Sequence, residues 1–79
     1  MEIAVDLTRQ GSAGLRALDL RPLRGTARRI RGVEIDPIDG GVHLRLTVPD
    51  DQPGGTYHAV ILDTATDAAV GTLTVRIPV

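Results

Sequence analysis

The chain has 79 residues, with nine arginines, no lysine, ten acidic residues and a formal net charge of −1 at pH 7. A chain of this length forms one domain, residues 1–79. A net charge near zero argues against a general nucleic-acid binder. The absence of cysteine excludes a disulfide framework and thiolate chemistry. With no Phe and no Trp, the core must be built from aliphatic side chains.

The N-terminus gives an expectation about location. Residues 1–6 are acidic and alternating, and they lack the basic start and apolar run of a signal peptide. No apolar run approaches the length that crosses a bilayer. We therefore expect a cytoplasmic protein that does not enter a membrane, unless a leader has been removed from it.

The first strand is predicted by apolar residues at every second position. Ile3, Val5 and Leu7 alternate with acidic or small residues, which is the period of a strand with one buried face. Glycines and a serine in residues 9–14 then predict a loop.

Residues 17–21 are predicted as a second strand, although a helix competes with it. Ser12 could cap a short helix that runs to Leu18. We favour the strand because Pro22 curtails anything longer and the surrounding pattern is that of β-structure.

A third strand is predicted over residues 27–36, after a turn at Gly25. Its alternation is imperfect, because Ile30 and Ile35 lie on opposite parities. A β-bulge at Gly32 would bring both side chains to the same face.

Two strands and two turns are predicted in the middle of the chain. Residues 37–41 form a turn, because Asp-Gly suits the left-handed φ of hairpins. Residues 44–48 alternate as a fourth strand, and residues 52–55 predict a type II turn with positive φ at the first of its two glycines. Residues 56–63 suit a fifth strand.

The C-terminal part is predicted as a loop, residues 63–69, and a last strand, residues 70–79. Asp67 is the residue expected in the left-handed region, which aspartate tolerates. Pro78 is expected to protect a sheet edge. The inward side chains of the last strand are predicted to be Leu73, Val75, Ile77 and Val79.

The last three predicted strands carry a resemblance to a known family. The segment Pro53-Gly-Gly-Thr-Tyr-His-Ala-Val-Ile61 followed by Gly71-Thr-Leu-Thr-Val-Arg-Ile77 resembles immunoglobulin-like and fibronectin type III-like domains. Tyr57 would be their corner tyrosine, and Ala59 stands where antibody domains have a cysteine. The alternatives for Tyr57 are a core residue whose hydroxyl finds a local backbone partner, which we favour, and a binding residue.

Together, the turn spacing and the resemblance predict an all-β fold. We expect an antiparallel immunoglobulin-like or fibronectin type III-like sandwich of six to seven strands. The absence of a cysteine pair and of a core tryptophan excludes a true antibody-type domain. Such a fold hosts many unrelated functions, so it implies architecture and little about activity.

One face of the fifth strand is a candidate interface. If Tyr57 faces the core, then the alternate residues of the strand face outward. Two of these, Val60 and Leu62, are apolar and begin an apolar patch. Scattered surface hydrophobes are the alternative explanation. We expect the sheet of the third, fifth and sixth strands to pack against a second copy or a larger protein. The predicted interface residues are His58, Val60, Leu62 and Arg76.

Four arginines close together form a candidate anion site: Arg24, Arg28, Arg29 and Arg31. They either pair with acidic residues of neighbouring strands or dock an acidic partner, a phosphate or a nucleic acid. Nucleic acid fits least, because no aromatic side chains are interleaved with the arginines for stacking.

Catalytic and metal sites are not indicated. His43 and His58 are predicted to be exposed, without the three or four ligands that zinc requires. Ser12 has no assignable base, and the aspartates at 36, 39, 50 and 51 suit turns. We therefore expect no enzyme and no cofactor. The predicted function is a structural or protein-interaction module that self-associates or serves as an accessory subunit, with anion or nucleic-acid binding through the four arginines as the alternative.

Overall fold

The computed structural model describes residues 1–8 and 14–79, which form seven strands and no helix. None of these residues therefore belongs to a helix long and apolar enough to cross a membrane. The all-β prediction is confirmed, and the proposed helix cap at Ser12 lies outside the described residues. The strands are β1 (Glu2–Leu7), β2 (Leu15–Ala17), β3 (Arg21–Pro22), β4 (Glu34–Ile38), β5 (Gly41–Arg45), β6 (Gly55–Asp63) and β7 (Ala69–Ile77).

The strands form two antiparallel sheets. The larger sheet has five strands in the order β1-β7-β6-β2, and β3 also pairs with β6. Because β6 is nine residues long, it accommodates both short strands on one side. Ala17 of β2 lies opposite Ile61, and Arg21 of β3 lies opposite His58. The smaller sheet is the hairpin of β4 and β5.

One core joins the two sheets. Alternate residues of β6 and β7 point into it, which is the period of strands with one buried face. From the smaller sheet, Ile35 is buried in the same cluster, and Val42 and Leu44 pack against it. The buried apolar residues are Leu20, Ile30, Ile35, Tyr57, Ala59, Ile61, Val70, Leu73 and Val75.

The predicted first, fifth and last strands are confirmed. β1, β6 and β7 begin within one residue of the expected positions. Asp67 is the one described non-glycine residue with positive φ, at 57°. These elements were predictable because their apolar alternation is regular and their turns carry Asp or Gly.

The predicted second and third strands are wrong in their extent. Residues 17–21 are divided between β2 and β3, and residues 27–33 belong to no strand. Between them, Leu20 and Ile30 exchange backbone N–H···O bonds of 3.0 and 2.8 Å as an isolated bridge. Gly32 has φ of 73° and lies outside the strands, so the expected bulge within a strand does not form there. Ile30 and Ile35 are nevertheless both buried, as expected.

The hairpin of the smaller sheet has a shorter turn than predicted, and its second strand begins earlier. β4 continues through Pro37 to Ile38, so the turn is confined to Asp39 and Gly40, whose φ is 81°. Proline is tolerated there because, among the described strands, β4 pairs only with β5 and one of its sides needs no donor. As a consequence β5 covers residues 41–45, and the predicted strand over residues 44–48 is wrong in its extent.

The predicted type II turn at residues 52–55 is also wrong. The positive φ falls on Gly55, at 141°, and not on Gly54. The chain reverses earlier, where the Gln52 amide donates to the Pro49 carbonyl oxygen at 3.0 Å. The Gln52 side chain is buried and bonded to the Arg28 carbonyl oxygen and the Tyr57 hydroxyl, two contacts that a local turn pattern does not predict.

Two expectations about the C-terminus are overturned. Val79 is fully exposed and does not face the core. Pro78 follows a strand that lies between β1 and β6, so it protects no edge. Among the described strands, the edges of the larger sheet are β1, which pairs only with β7, and β2 with β3, which pair only with β6.

Candidate functional site

One face of the larger sheet points away from the core, and we call it the outward face. Strand register places its residues in rows, because residues directly opposite each other share a face. None of them is buried. The rows are Glu2, Arg76 and Thr56; Ala4, Thr74, His58 and Arg21; Asp6, Thr72 and Val60; and Leu62 with Arg16.

All four predicted interface residues lie on the outward face. His58, Val60 and Arg76 are exposed, and Leu62 is half-buried. They lie on the predicted fifth and last strands, but the predicted third strand does not join this sheet, because β4 pairs with β5 instead. The neighbours of β6 are instead β7, β2 and β3.

Leu18 adds to the apolar part of this surface. Its amide donates to the Val60 carbonyl oxygen at 3.0 Å. The Leu18 side chain is 42 % exposed and that of Val60 is 39 % exposed. Both line a shallow depression of about 580 Å³ together with His58 and Arg21. Sequence reasoning missed Leu18, because it was assigned to a regular strand that the chain does not form.

Charge on the outward face is divided between its two sides. Glu2 and Asp6 lie on β1, at one side of the sheet, and Arg16 and Arg21 lie on β2 and β3 at the other. The strands between them carry mostly uncharged residues, including Thr72, Thr74 and Val60. Arg76 is the exception, and its guanidinium lies 3.9 Å from the Glu2 carboxylate.

A second surface is an open groove of about 790 Å³ beside the segment of predicted arginines. We call it the arginine groove. Arg21, Arg28, Arg29 and Arg31 line it, together with apolar residues such as Pro22 and Ala27. The structure thus brings three of the four predicted arginines together. Arg24 is not among the lining residues of this groove and lies instead beside Leu23 and Thr56.

Two of the groove arginines form ion pairs. Arg28 Nη2 lies 2.8 Å from Asp51 Oδ1, and Arg29 Nη1 lies 3.7 Å from Asp19 Oδ2. The hydrogen bond and positive charge of Arg28 hold the pKa of Asp51 below its usual range. Within residues 1–8 and 14–79, Arg31 makes no ion pair. Part of the cluster therefore pairs internally, but with aspartates that lie outside the strands and not on neighbouring strands as expected.

Hydrogen bonds of the buried Gln52 and Tyr57 side chains hold one wall of the arginine groove in place. Gln52 Nε2 donates to the Arg28 carbonyl oxygen at 2.8 Å and to the Tyr57 hydroxyl at 3.1 Å. The Tyr57 hydroxyl donates in turn to the Pro53 carbonyl oxygen at 2.7 Å. The predicted core tyrosine with a local backbone partner is confirmed. Gln52 was missed, because a glutamine between Asp and Pro is typical of an exposed turn.

The histidines are exposed, as predicted. His43 lies on β5 opposite Asp36, and His58 lies on the outward face opposite Arg21. No group of three His, Asp or Glu residues in the described part of the chain is placed to hold a metal ion. Ser12 lies outside the described residues.

The chain was compared with models of protein families, with curated proteins and with solved structures, and none of them matches it. The conclusions about its function therefore depend on the two surfaces described above.

Proposed function

We propose that this protein is a non-catalytic interaction module of the cytoplasm that associates with a second copy through its outward face. Its fold would be an immunoglobulin-like or fibronectin type III-like sandwich. Support for this architecture comes from the hydrogen bond of Tyr57 to the carbonyl four residues upstream, the geometry of a tyrosine corner. The resemblance implies only the fold, and the interaction role is argued from the surface.

The observation that carries this proposal is the division of charge across an uncovered sheet face. Sheets pack face to face at about 10 Å when their facing side chains complement each other. The central strands offer threonines, Val60 and the adjacent Leu18, which lose little by desolvation. The two sides offer opposite charges, which set the orientation of a partner.

The charges select one two-fold arrangement. An axis parallel to the strands places β1 of each copy over β2 and β3 of the other, because rotation exchanges the two sides of the sheet. Asp6 then faces the side that carries Arg16 and Arg21. An axis perpendicular to the strands would instead place β1 over β1, with Glu2 against Asp6. Like charges in that position are destabilising.

The test reverses one charge on each side of the outward face. Asp6→Arg and Arg16→Glu should each weaken self-association in light scattering or sedimentation, because each brings like charges together. A mixture of the two variants should associate again, since both cross-copy pairs are then opposite in charge. Asp36→Arg, on β4 of the smaller sheet, is the matched control and should leave association unchanged.

Two results would contradict this proposal. The first is a wild-type protein that stays monomeric at the highest concentration reached. The second is a pair of variants that associate separately as well as the wild type does. If mixing fails to restore association that each variant has lost, the outward face is the interface but the two-fold axis is wrong.

The arginine groove supports a second function, the binding of anionic groups. Five of the nine arginines lie within residues 20–33, a stretch with no acidic residue. The remainder of the chain holds four arginines and all ten acidic residues. A positive segment on a nearly neutral chain concentrates anions locally. Calorimetric titration with inorganic tripolyphosphate tests this function, and no heat of binding at low salt would contradict it.

A further inference from the structure

We infer that the arginine groove binds an acidic peptide segment of a partner protein, an inference that rests on the second proposed function. The ligand chemistry is a series of side-chain carboxylates on an extended backbone. The groove residues that would contact these carboxylates are Arg28 and Arg31. Arg21 and Arg29 also line the groove.

A carboxylate already occupies part of this groove. Asp51 Oδ1 accepts from Arg28 Nη2 at 2.8 Å, the length of a strong charge-assisted hydrogen bond. The Asp51 side chain is 76 % exposed, so an incoming carboxylate can replace it without burying or stranding a charge. The arginine fork matches a carboxylate in two parallel hydrogen bonds, which ammonium cannot do. The Asp51 carboxylate therefore occupies the position on Arg28 that a carboxylate of the peptide would take.

Two features suit the groove to binding a ligand: Arg31 is available to pair, and the backbone around Arg28 is held in place. Arg31 has no ion pair within the described residues and is exposed. The backbone of Arg28 is held by the buried side chain of Gln52, which fixes one wall of the groove. A fixed wall lowers the ordering cost of binding. Apolar Pro22, Ala27 and Pro49 in the lining give a peptide's methylene groups a place to pack.

The composition of the groove favours a peptide over a nucleotide or a single-stranded nucleic acid. Sequence-tolerant binding of bases depends on aromatic side chains that stack on them. Tyr57 is the one aromatic residue of the chain, and it is only 1 % exposed. Phosphate sites often use helix N-termini, and residues 1–8 and 14–79 contain no helix.

The test is fluorescence anisotropy with a labelled peptide of alternating Glu and Ala, with tripolyphosphate and an oligothymidylate as competing anions. The double variant Arg28→Gln/Arg31→Gln should bind the peptide at least about tenfold more weakly, because it cannot form the charge-assisted hydrogen bonds to the peptide carboxylates. The matched control is Arg24→Gln/Arg45→Gln, which removes the same charge from residues outside the groove. It should bind nearly as the wild type does. Thermal unfolding of both variants checks that they are folded.

The outcomes separate this inference from the function it rests on. If the peptide, tripolyphosphate and oligothymidylate all fail to bind, both are wrong. If tripolyphosphate or oligothymidylate binds through Arg28 and Arg31 and the peptide does not, the groove binds anions but the inferred ligand is wrong. Equal loss of peptide binding in the groove variant and its control would also overturn the inference, because binding would then follow net charge alone.

Discussion

At the scale of single residues, the side chains of Tyr57 and Gln52 are the buried polar groups that require partners. Each has them, and no buried side-chain nitrogen or oxygen of the described residues lacks a hydrogen bond. Burying such groups without partners would cost more than the bonds themselves contribute. The pair therefore orients three backbone segments, at Arg28, Pro53 and β6 itself.

Tyr57→Phe should destabilise the protein, because it leaves the Pro53 carbonyl without its donor and Gln52 with one partner. We expect a loss of about 1–2 kcal/mol in the free energy of unfolding, measured with urea. Thr8→Val is the control, since Thr8 Oγ1 donates to the Val70 carbonyl from an exposed side chain. It should cost less. A Tyr57→Phe protein as stable as the wild type would contradict a structural role for the hydroxyl.

The ion pair of Arg28 and Asp51 makes a prediction about pH. Arg28 lowers the pKa of Asp51, so the pair's contribution to folding is present above the ordinary aspartate pKa of about 3.9 and is lost as the pH falls through the lower folded value. Arg28→Gln should raise the Asp51 pKa towards its ordinary value in a carboxyl NMR titration. Arg24→Gln should leave it unchanged. An Asp51 pKa that is the same in all three proteins would show that the pair does not form in solution.

At the scale of elements, β1 is held in place by a close approach to β7. Gly71 lies opposite Leu7, and a Cβ atom there would overlap the Asp6 carbonyl oxygen and meet Leu7 Cδ2 at 2.7 Å. Glycine is required at this position for packing and not for its φ, since its φ is not among the positive ones. The packing of β1, which carries the acidic residues of the outward face, thus depends on the absence of a side chain at Gly71.

Gly71→Ala should therefore destabilise the protein by about 1–3 kcal/mol, the usual cost of overpacking. Gly41→Ala is the matched control. Gly41 also lies in a strand, as the first residue of β5, but a Cβ atom there meets nothing within 4 Å. Urea denaturation of both variants measures the difference. Equal stability of the two would mean that β1 does not dock as described.

At the scale of the whole molecule, the larger sheet is covered on one face only. One core cluster includes buried residues of both sheets, and no residue of the outward face is buried. The core contains a single aromatic side chain, and so small a domain has little stability to spare. Association that buries the outward face would add to that stability.

The midpoint of thermal unfolding should accordingly rise with protein concentration, because mass action favours the associated folded state. Asp6→Arg should abolish this dependence. At high protein concentration its midpoint should fall towards that of the wild type at low concentration. Differential scanning calorimetry over a wide concentration range measures both. A midpoint independent of concentration in the wild type would count against self-association.

The sequence by itself determined the elements whose signals are local. Regular alternation predicted β1, β6 and β7, aspartate predicted the left-handed residue at 67, and the lone tyrosine was expected in the core. The four candidate interface residues followed from the alternation of β6 and β7, and the structure places them on one face.

Only the tertiary structure decided the course of residues 15–55. The bridge between Leu20 and Ile30, the buried amide of Gln52 and the separation of Arg24 from the arginine groove depend on segments distant in the chain. The same is true of Leu18 beside Val60, and of acidic β1 and basic β2 and β3 on opposite sides of one sheet. Local pattern carries no information about these pairings, because it records which face of a strand is apolar and not which strand lies next to it.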